Sequence, residues 1–333
     1  MASYTTIGTT DWNEVASAHL YKWLERDPID NYTKKHPVLA WLRSNQATHD
    51  GGKPAWPIFY GRTAIGRSYT KGQSTTPVAT EAVTTAETNI SFWAEPIVIY
   101  HTDTVYAGGA GKVFDLMEQQ YRAAKAGVTR KVAELLFAAS KASPTDPDSI
   151  PLAIPVDPTA DVAFCNLSGA AGKQAYWRNQ TETCTGSWSS DGINKLDALC
   201  NKLAIEGSEP ELLVTTRTVF QFMQQEARGR MQVDATKTKA GKLLTDLGVP
   251  FIQHNGIPVI PDTNCVAGKI FALNSNDIEW VAVSGGDYTM MGSGFENTQM
   301  NGLMASVAHM RVEGFLRVRN RRGLGQVDSI TSA

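Results

Sequence analysis

The sequence predicts an α+β fold in which a long two-stranded ribbon and one very long helix precede an alternating series of helices and strands. Two strand-like segments flank a polar stretch at 66–87 that is rich in Gly, Thr and Ser, and helical periodicity then runs from 111 to 142. An isolated two-stranded ribbon buries too little apolar surface to be stable alone, so this one needs another surface to lie on. A second copy of the same chain is the natural candidate.

Length and composition exclude several classes of protein. The 333 residues are enough for one large domain or two smaller ones. With 19% charged residues and a formal net charge of −2, the chain lacks the dominant basic field of a nucleic-acid-binding protein. It contains no apolar run long enough to span a membrane, and its first ten residues lack the basic and apolar regions of a signal peptide. We therefore expect no membrane association and a protein made in a cytosol.

No catalytic, metal or cofactor site is predicted. The six histidines show no ligand spacing, and the four cysteines have no CxxC pair, so we expect buried thiols at Cys165, Cys184, Cys200 and Cys265. The segment Gly108-Gly109-Ala110-Gly111-Lys112 resembles a phosphate-binding loop only superficially, because Tyr106 and Val113 replace the first glycine and the Ser or Thr that would hold magnesium. We interpret it as a flexible joint into the long helix.

The N-terminal segment contains two Trp-rich helical patterns. Residues 10–26 place Trp12, His19 and Trp23 on one apolar face, and a second short helix is predicted to begin at Pro37. A polar linker separates the two patterns, which favours an arm that contacts a neighbour. An ordinary helical hairpin packed on its own domain explains the pattern equally well, so both interpretations stay open.

Alternating side chains define the ribbon. Three residues share one face of each strand, with a large aromatic side chain opposite: Trp56, Ile58 and Tyr60 with Phe59 opposite on the outgoing strand, and Ile90, Phe92 and Ala94 with Trp93 opposite on the returning strand. The polar tip between them carries Arg67 and Lys71. Such a composition is typical of a mobile loop or of a loop that is ordered by a partner.

The second half alternates helices and strands. We predict helices at 191–205 and 216–227, strands at 211–215, 269–273 and 278–283, a hairpin that turns at Asn255-Gly256, a loop with one short helix at 228–248, and a long final strand at 303–318. The chain then carries a basic cluster of Arg317, Arg319, Arg321 and Arg322. The cluster could contact phosphates, but the alternation of its first three arginines favours a solvated or partner-facing strand edge.

This order of parts resembles the major capsid protein of tailed bacteriophages. The residues that carry the resemblance extend over most of the chain: Gly51-Gly52, Pro57-Ile58-Phe59-Tyr60-Gly61, the helix at 112–142, Tyr176-Trp177-Arg178-Asn179, Leu212-Leu213-Val214-Thr215, Gly256-Ile257-Pro258-Val259-Ile260-Pro261, Gly268-Lys269-Ile270-Phe271 and Arg311-Val312-Glu313-Gly314.

The resemblance implies a division of the chain. Residues 1–47 correspond to an N-terminal arm and 48–107 to the β-hairpin called the E-loop. Residues 108–207 correspond to the peripheral (P) domain with its spine helix at about 111–142, 208–300 to the axial (A) domain, and 301–333 to a return to the P domain. The residues expected to contact neighbouring subunits are Trp12, His19, Trp23, Trp56, Phe59, Arg67, Lys71, Phe92, Trp93, Arg317 and Arg319.

The resemblance also implies a function and partners. The chain would assemble with itself as hexamers and pentamers into an icosahedral shell around double-stranded DNA, first in the host cytoplasm and finally in the virion. Its partners would be a scaffold protein, a portal, packaged DNA held without sequence specificity and, as an option, decoration proteins. A leader removed after synthesis is an alternative to a separate scaffold.

Two other interpretations remain. An encapsulin-like bacterial compartment protein would share the fold but enclose protein cargo. A soluble α/β enzyme would use the ribbon as a lid over its active site. The enzyme interpretation requires a set of converging polar residues that the sequence does not offer.

Overall fold

The computed structural model describes residues 36–60, 68, 70–73, 82–106, 110–204, 209–227, 250–291, 296–297 and 304–331. Its helices are α1 (Pro37–Ser44), α2 (His101–Tyr106), α3 (Ala110–Leu135), α4 (Ile150–Ala153), α5 (Ile193–Leu203) and α6 (Arg217–Ala227). Its strands are β1 (Ala47–His49), β2 (Ala55–Phe59), β3 (Val83–Glu87), β4 (Ser91–Tyr100), β5 (Ala163–Phe164), β6 (Leu167–Ser168), β7 (Gln180–Thr183), β8 (Leu212–Thr215), β9 (Ile252–His254), β10 (Ile257–Pro261), β11 (Ile270–Leu273), β12 (Ile278–Met290), β13 (Glu296–Asn297), β14 (Ala305–Val318) and β15 (Gly325–Asp328).

The described chain divides into two compact units. The smaller contains residues 93–132 and 285–312, and the larger contains 36–92, 133–284 and 313–331. One sheet has the order β1-β12-β14-β13, with β4 also paired to β14. The other has six strands in the order β7-β15-β11-β8-β10-β9, and the ribbon is the antiparallel pair β2-β3.

Two helices and the six-stranded sheet share the main apolar core of the larger unit. Leu196, Leu199 and Leu203 recur at helical spacing on α5 and are at most 1% exposed. Val219, Phe220 and Met223 of α6 join the same cluster. The sheet contributes its buried central strands, of which β8 and β11 have every side chain covered. Both predicted helices are confirmed. The inward face expected for the helix at 191–205 is also confirmed, except that Ile193, at the first position of α5, is 39% exposed.

The predicted hairpin and the short N-terminal helix are confirmed. Asn255 and Gly256 have φ values of +50° and +82°, the left-handed pair that a two-residue hairpin requires. Helix α1 begins at Pro37 as predicted, and Val38, Leu39, Trp41 and Leu42 are at most 3% exposed. The helix at 10–26 and the loop at 228–248 lie outside the described residues.

The returning strand of the ribbon lies closer to the tip than predicted. β2 pairs with β3, and Ala55 faces Glu87 while Phe59 faces Val83. The segment 83–87 was expected to belong to the polar tip because of its threonines, but β-branched Val and Thr side chains also fit a strand. The predicted residues 90–94 do form a strand, β4, which pairs with β14 instead.

The long helix ends at Leu135, seven residues before the predicted end. Its last carbonyl groups find partners outside the α-helical pattern: the amides of Phe137 and Ala138 donate to the carbonyls three residues earlier, and the amide of Ile150 donates to the carbonyl of Leu136. These bonds satisfy the groups that a helix end leaves free, so the chain turns there. Helix α2 also occupies 101–106, a segment that was predicted to belong to the ribbon.

Two short strands, β7 and β15, were not predicted. They lie side by side at one edge of the six-stranded sheet, so this sheet takes strands from both sides of the predicted A-domain limits at 208 and 300. Each has only four residues, too few for alternation to be recognised in the sequence. The domain limits themselves stay a prediction.

The basic cluster is split by the end of β14. The strand stops at Val318, and Arg321 is only 2% exposed, which makes the predicted edge position wrong for this residue. Its guanidinium donates to the carbonyls of Ala153, Leu152 and Trp177 and lies 5.4 Å from the centre of the Phe164 ring.

Two glycines provide a matched test of packing. A methyl group at Gly314 would lie 2.7 Å from the Val281 carbonyl oxygen and 2.8 Å from the Trp280 ring, whereas one at Gly127, within α3, would meet nothing within 4 Å. We expect Gly314→Ala to lower the free energy of unfolding by about 1–3 kcal/mol because of overpacking. Gly127→Ala should raise it by about 0.5–1 kcal/mol through helix propensity. Urea denaturation of the unassembled subunit measures both, and a neutral Gly314→Ala would contradict the packing argument.

Candidate subunit-contact surface

The base of the ribbon is attached to its own chain. The indole Nε1–H of Trp56 donates to the carbonyl of Val318 at 3.0 Å, and its ring stacks on Phe315 at 6.4 Å between centroids. Trp56 and Ile58 are each 8% exposed. The side chain of Trp56 is therefore covered within the subunit, and we leave it out of the proposed contact surface.

Polar contacts fix the end of the returning strand. The Thr88 hydroxyl donates to Asp148 at 2.6 Å, and Asp148 also pairs with Lys141 at 2.7 Å. The amide of Glu87 donates to the carbonyl of Cys165 at 3.0 Å. The ribbon thus starts from a base held by several parts of the larger unit, so its direction is set before any partner binds.

The opposite face of the ribbon is exposed and apolar. Phe59 is 80% exposed and Val83 is 48% exposed, and the two residues are direct partners across the strands. Cross-strand partners project to the same side of a sheet, so together they form one apolar patch. Sequence reasoning did not include the exposed Val83 among the contact candidates, because this residue was assigned to the polar tip.

The two aromatic residues at the start of β4 have different environments. Phe92 is 55% exposed. Trp93 is half-buried, and within the smaller unit the ammonium group of Lys131 lies 5.8 Å from the centre of its ring. Phe92 therefore remains in the proposed contact set as a free apolar side chain, and Trp93 remains in it with part of its surface already covered.

Arg317 and Arg319 share one acidic partner. Both guanidinium groups bind Glu279, whose side chain is 7% exposed, and Arg319 reaches its two carboxylate oxygens at 2.8 and 3.1 Å. The side chain of Arg319 is 53% exposed, while that of Arg317 is 25% exposed. The charge of this pair is partly neutralised within the subunit, so a phosphate would compete with Glu279 for it.

The remaining predicted contact residues divide into two groups. Lys71 is exposed in a turn of the ribbon tip. Trp12, His19, Trp23 and Arg67 lie outside the described residues, and their roles remain predictions.

The described residues lack both a metal-ligand cluster and an exposed thiol. They contain no group of three or more His, Cys, Asp or Glu side chains that could hold a metal ion. All four cysteines are reduced and buried, as predicted. Burial raises the pKa of Cys200 to about 11 and raises those of Cys165 and Cys265 further, so these thiols stay protonated and unreactive near neutral pH. Within the same part of the chain, no helix has the length and apolarity to cross a membrane.

Solved structures resemble this chain over nearly its whole length. The subunit in the capsid of cyanophage A-1(L) is 15% identical, with a TM-score of 0.76 over 94% of this chain and 98% of the other. A subunit in the capsid of a native GTA particle is 10% identical, with a TM-score of 0.61 over 95% and 97%. The SrpI encapsulin of Synechococcus elongatus is 13% identical and reaches 0.52 over 95% of both chains. No protein-family model and no curated protein matches the sequence.

These similarities establish the fold. The chain has the fold of tailed-phage major capsid proteins, as the order of its parts predicted. Encapsulin shells share the fold, so the fold by itself leaves the content of a shell open.

Glu279 provides a test of how the two arginines are held. Glu279→Gln would leave two guanidinium groups against a neutral amide, and we expect the free energy of unfolding to fall by about 2–3 kcal/mol. Arg319→Ala removes a half-exposed partner and should cost at most about 1 kcal/mol. Denaturation of the unassembled subunit measures the difference, and equal losses would show that Glu279 is not the shared centre of the pair.

Proposed function

We propose that this protein is the major capsid protein of a tailed phage, which assembles with itself as hexamers and pentamers into an icosahedral shell around double-stranded DNA. The single observation that carries the proposal is the match to the cyanophage A-1(L) capsid subunit, which covers nearly all of both chains. A structural role rather than an enzymatic one is part of the proposal. The virion is its proposed location.

The ribbon supports this proposal from the chain itself. Its base is held by its own subunit, and the described residues leave Phe59 80% exposed and Val83 48% exposed. An exposed apolar patch of this kind on a rigid base is typical of a protein–protein contact. We propose that it lies on a neighbouring subunit, as the E-loop of the resemblance would.

The finer assignments are part of the same proposal. The arm at 1–47, the P-domain and A-domain limits, and the contacts with scaffold, portal and decoration proteins and with packaged DNA belong here. A structure of satellite phage P4 whose title names a size determination protein also resembles the chain, but its TM-score of 0.45 carries no argument.

Electron microscopy of the purified protein tests the proposal directly. Icosahedral shells, tubes or capsomer rings are expected, and a uniform field of small particles under all conditions would contradict it. For native particles, the ratio of absorbance at 260 nm to that at 280 nm separates the two kinds of shell. An excess of nucleic acid supports the phage capsid, and protein cargo without DNA supports the encapsulin-like alternative.

Phe59→Ser tests the contact face of the ribbon. The side chain is 80% exposed, so the free energy of unfolding of the subunit should change by less than about 0.5 kcal/mol. Loss of a buried apolar contact between subunits should nevertheless reduce the yield of closed shells. Ile193→Ser, at a 39% exposed position on α5, is the control and should assemble normally. Normal assembly of Phe59→Ser would exclude the proposed contact, and failure of both variants would indicate a general loss of solubility.

A further inference from the structure

A basic cavity of about 360 Å³ lies on the larger unit. The side chains that matter for its chemistry are Thr159, Tyr176, Arg178, Asn179, Gln180 and Arg322. None of them belongs to the contact set described above. The rim also touches the ribbon, because the ring of Tyr176 stacks on that of Tyr60 with 4.6 Å between centroids.

Two guanidinium groups in the wall have unused donors. Arg178 donates through Nε to the carbonyl of Gly169 at 2.5 Å, which fixes the plane of its guanidinium and leaves both terminal nitrogens without a hydrogen bond to any described residue. Arg322 is exposed, and its side chain has no hydrogen-bond or ion-pair partner within the described chain. Its neighbour Arg321 is buried and anchored, which fixes the turn from which Arg322 projects. Planar guanidinium groups bind carboxylate and phosphate through paired donors.

Three acidic residues lie near the cavity, and two of them are paired with lysines. The pKa of Asp157 is lowered because Thr159 donates both its hydroxyl and its amide to the carboxylate, with a smaller contribution from Arg178. Asp161 is paired with Lys173 at 2.7 Å. Glu182, further along β7, is bound by Lys195 and Lys202. Asp157 is bound only by neutral donors, so it keeps its negative charge and offsets part of the positive charge of Arg178. The excess positive charge therefore lies mainly at Arg322, and one carboxylate is enough to balance it.

A buried asparagine fixes one wall of the cavity. Asn179 is 2% exposed, and its amide nitrogen donates to the carbonyl of Pro155 at 3.0 Å, which fixes the orientation of the side chain. Its Oδ1 is buried and has no partner among the described residues. Because Oδ1 is itself covered, Asn179 shapes the wall of the cavity and does not offer its acceptor to a ligand.

A free sheet edge begins at the same place. β7 starts at Gln180 in the cavity wall and is the outermost strand of the six-stranded sheet, paired only with β15 in the described chain. The outer edge of such a strand presents backbone N–H and C=O groups that another extended chain can pair with.

We propose that an extended acidic peptide segment of another chain adds to the outer edge of β7 and places one carboxylate between Arg178 and Arg322. A peptide supplies both the carboxylate and backbone N–H groups, whereas a phosphodiester supplies no donor. The cavity has only two arginines, one of them partly offset by Asp157, in a chain of net charge −2, and such a site is poorly suited to the long polyanion of duplex DNA. The site does not depend on shell formation and goes beyond the proposed function.

Fluorescence anisotropy of the full-length, unassembled chain with a short fluorescein-labelled peptide of alternating Glu and Thr residues tests this site. We expect Arg322→Ala to weaken binding about tenfold, which corresponds to the loss of a charge-assisted contact of about 1.4 kcal/mol. Arg217→Ala, at an exposed arginine on α6 outside the cavity, is the matched control and should bind as the unaltered chain does. Arg178→Lys keeps the charge but removes the planar fork, so it should also weaken binding if Arg322→Ala fails to fold.

Altered probes separate the two parts of the site. A peptide with Gln in place of Glu should lose affinity because it lacks the carboxylate, and one with alternate N-methylated amides should lose it because it cannot pair with β7. Unchanged binding of either peptide would overturn the proposal. Equal weakening by Arg217→Ala would reduce the effect to general charge. Tighter, Arg322-dependent binding of duplex DNA would assign the cavity to phosphate instead. Since shells are not needed for any of these measurements, their outcome is independent of the proposed function.

Discussion

The guanidinium group of Arg321 is buried in the interior of the larger unit, where the loss of hydration disfavours its charged form. Burial lowers its pKa to about 10, so the group remains charged at neutral pH and must be satisfied locally. Its donors reach carbonyls on the α4 segment and beside Trp177, and its face covers the Phe164 ring. Because three separate segments must converge to satisfy one guanidinium, this side chain fixes the frame on which the ribbon base and the basic cavity are built.

The base of the ribbon is held by residues close in sequence to Phe164 and Arg321. The carbonyl of Cys165, next to Phe164, accepts the amide of Glu87, and the indole of Trp56 reaches the carbonyl of Val318, three residues before Arg321. One face of the ribbon is thereby used by the subunit at its base, and Phe59 and Val83 are left on the other. A rigid base reduces the conformational entropy lost when a partner covers that apolar pair. Such a ribbon is suited to a contact between subunits for this reason, and no mobile hinge at its base is required.

Sequence patterns predicted the elements whose periodicity was strong. They failed where local chemistry or contacts between distant residues determine the end of an element or the burial of a side chain. The helices α5 and α6, the inward face of α5, the Asn255-Gly256 turn and the long strand β14 follow from spacing and turn preferences alone. The end of α3 could not be predicted, because it depends on Leu136 meeting the amide of Ile150. The burial of Arg321 could not be predicted either, since a buried arginine without an acidic partner leaves no recognisable pattern in the local sequence. Val83 could have been recognised: a Val-Thr-Thr run between polar residues fits a strand as well as a loop.

The two proposed contact sites on the larger unit, the ribbon and the cavity, differ chemically and should therefore respond differently to salt. The exposed pair Phe59 and Val83 on the ribbon is apolar, so a contact made by this pair depends on burial of area and responds weakly to salt. The cavity at Arg178 and Arg322 depends on charge, and binding there weakens as ionic strength rises, most strongly for the exposed Arg322. The stacked rings of Tyr60 and Tyr176 lie between the two sites. A ligand in the cavity would therefore restrict Tyr176 and, through it, Tyr60, the residue that follows β2. The two proposed contacts would thus respond differently to ionic strength, because each depends on its own kind of interaction.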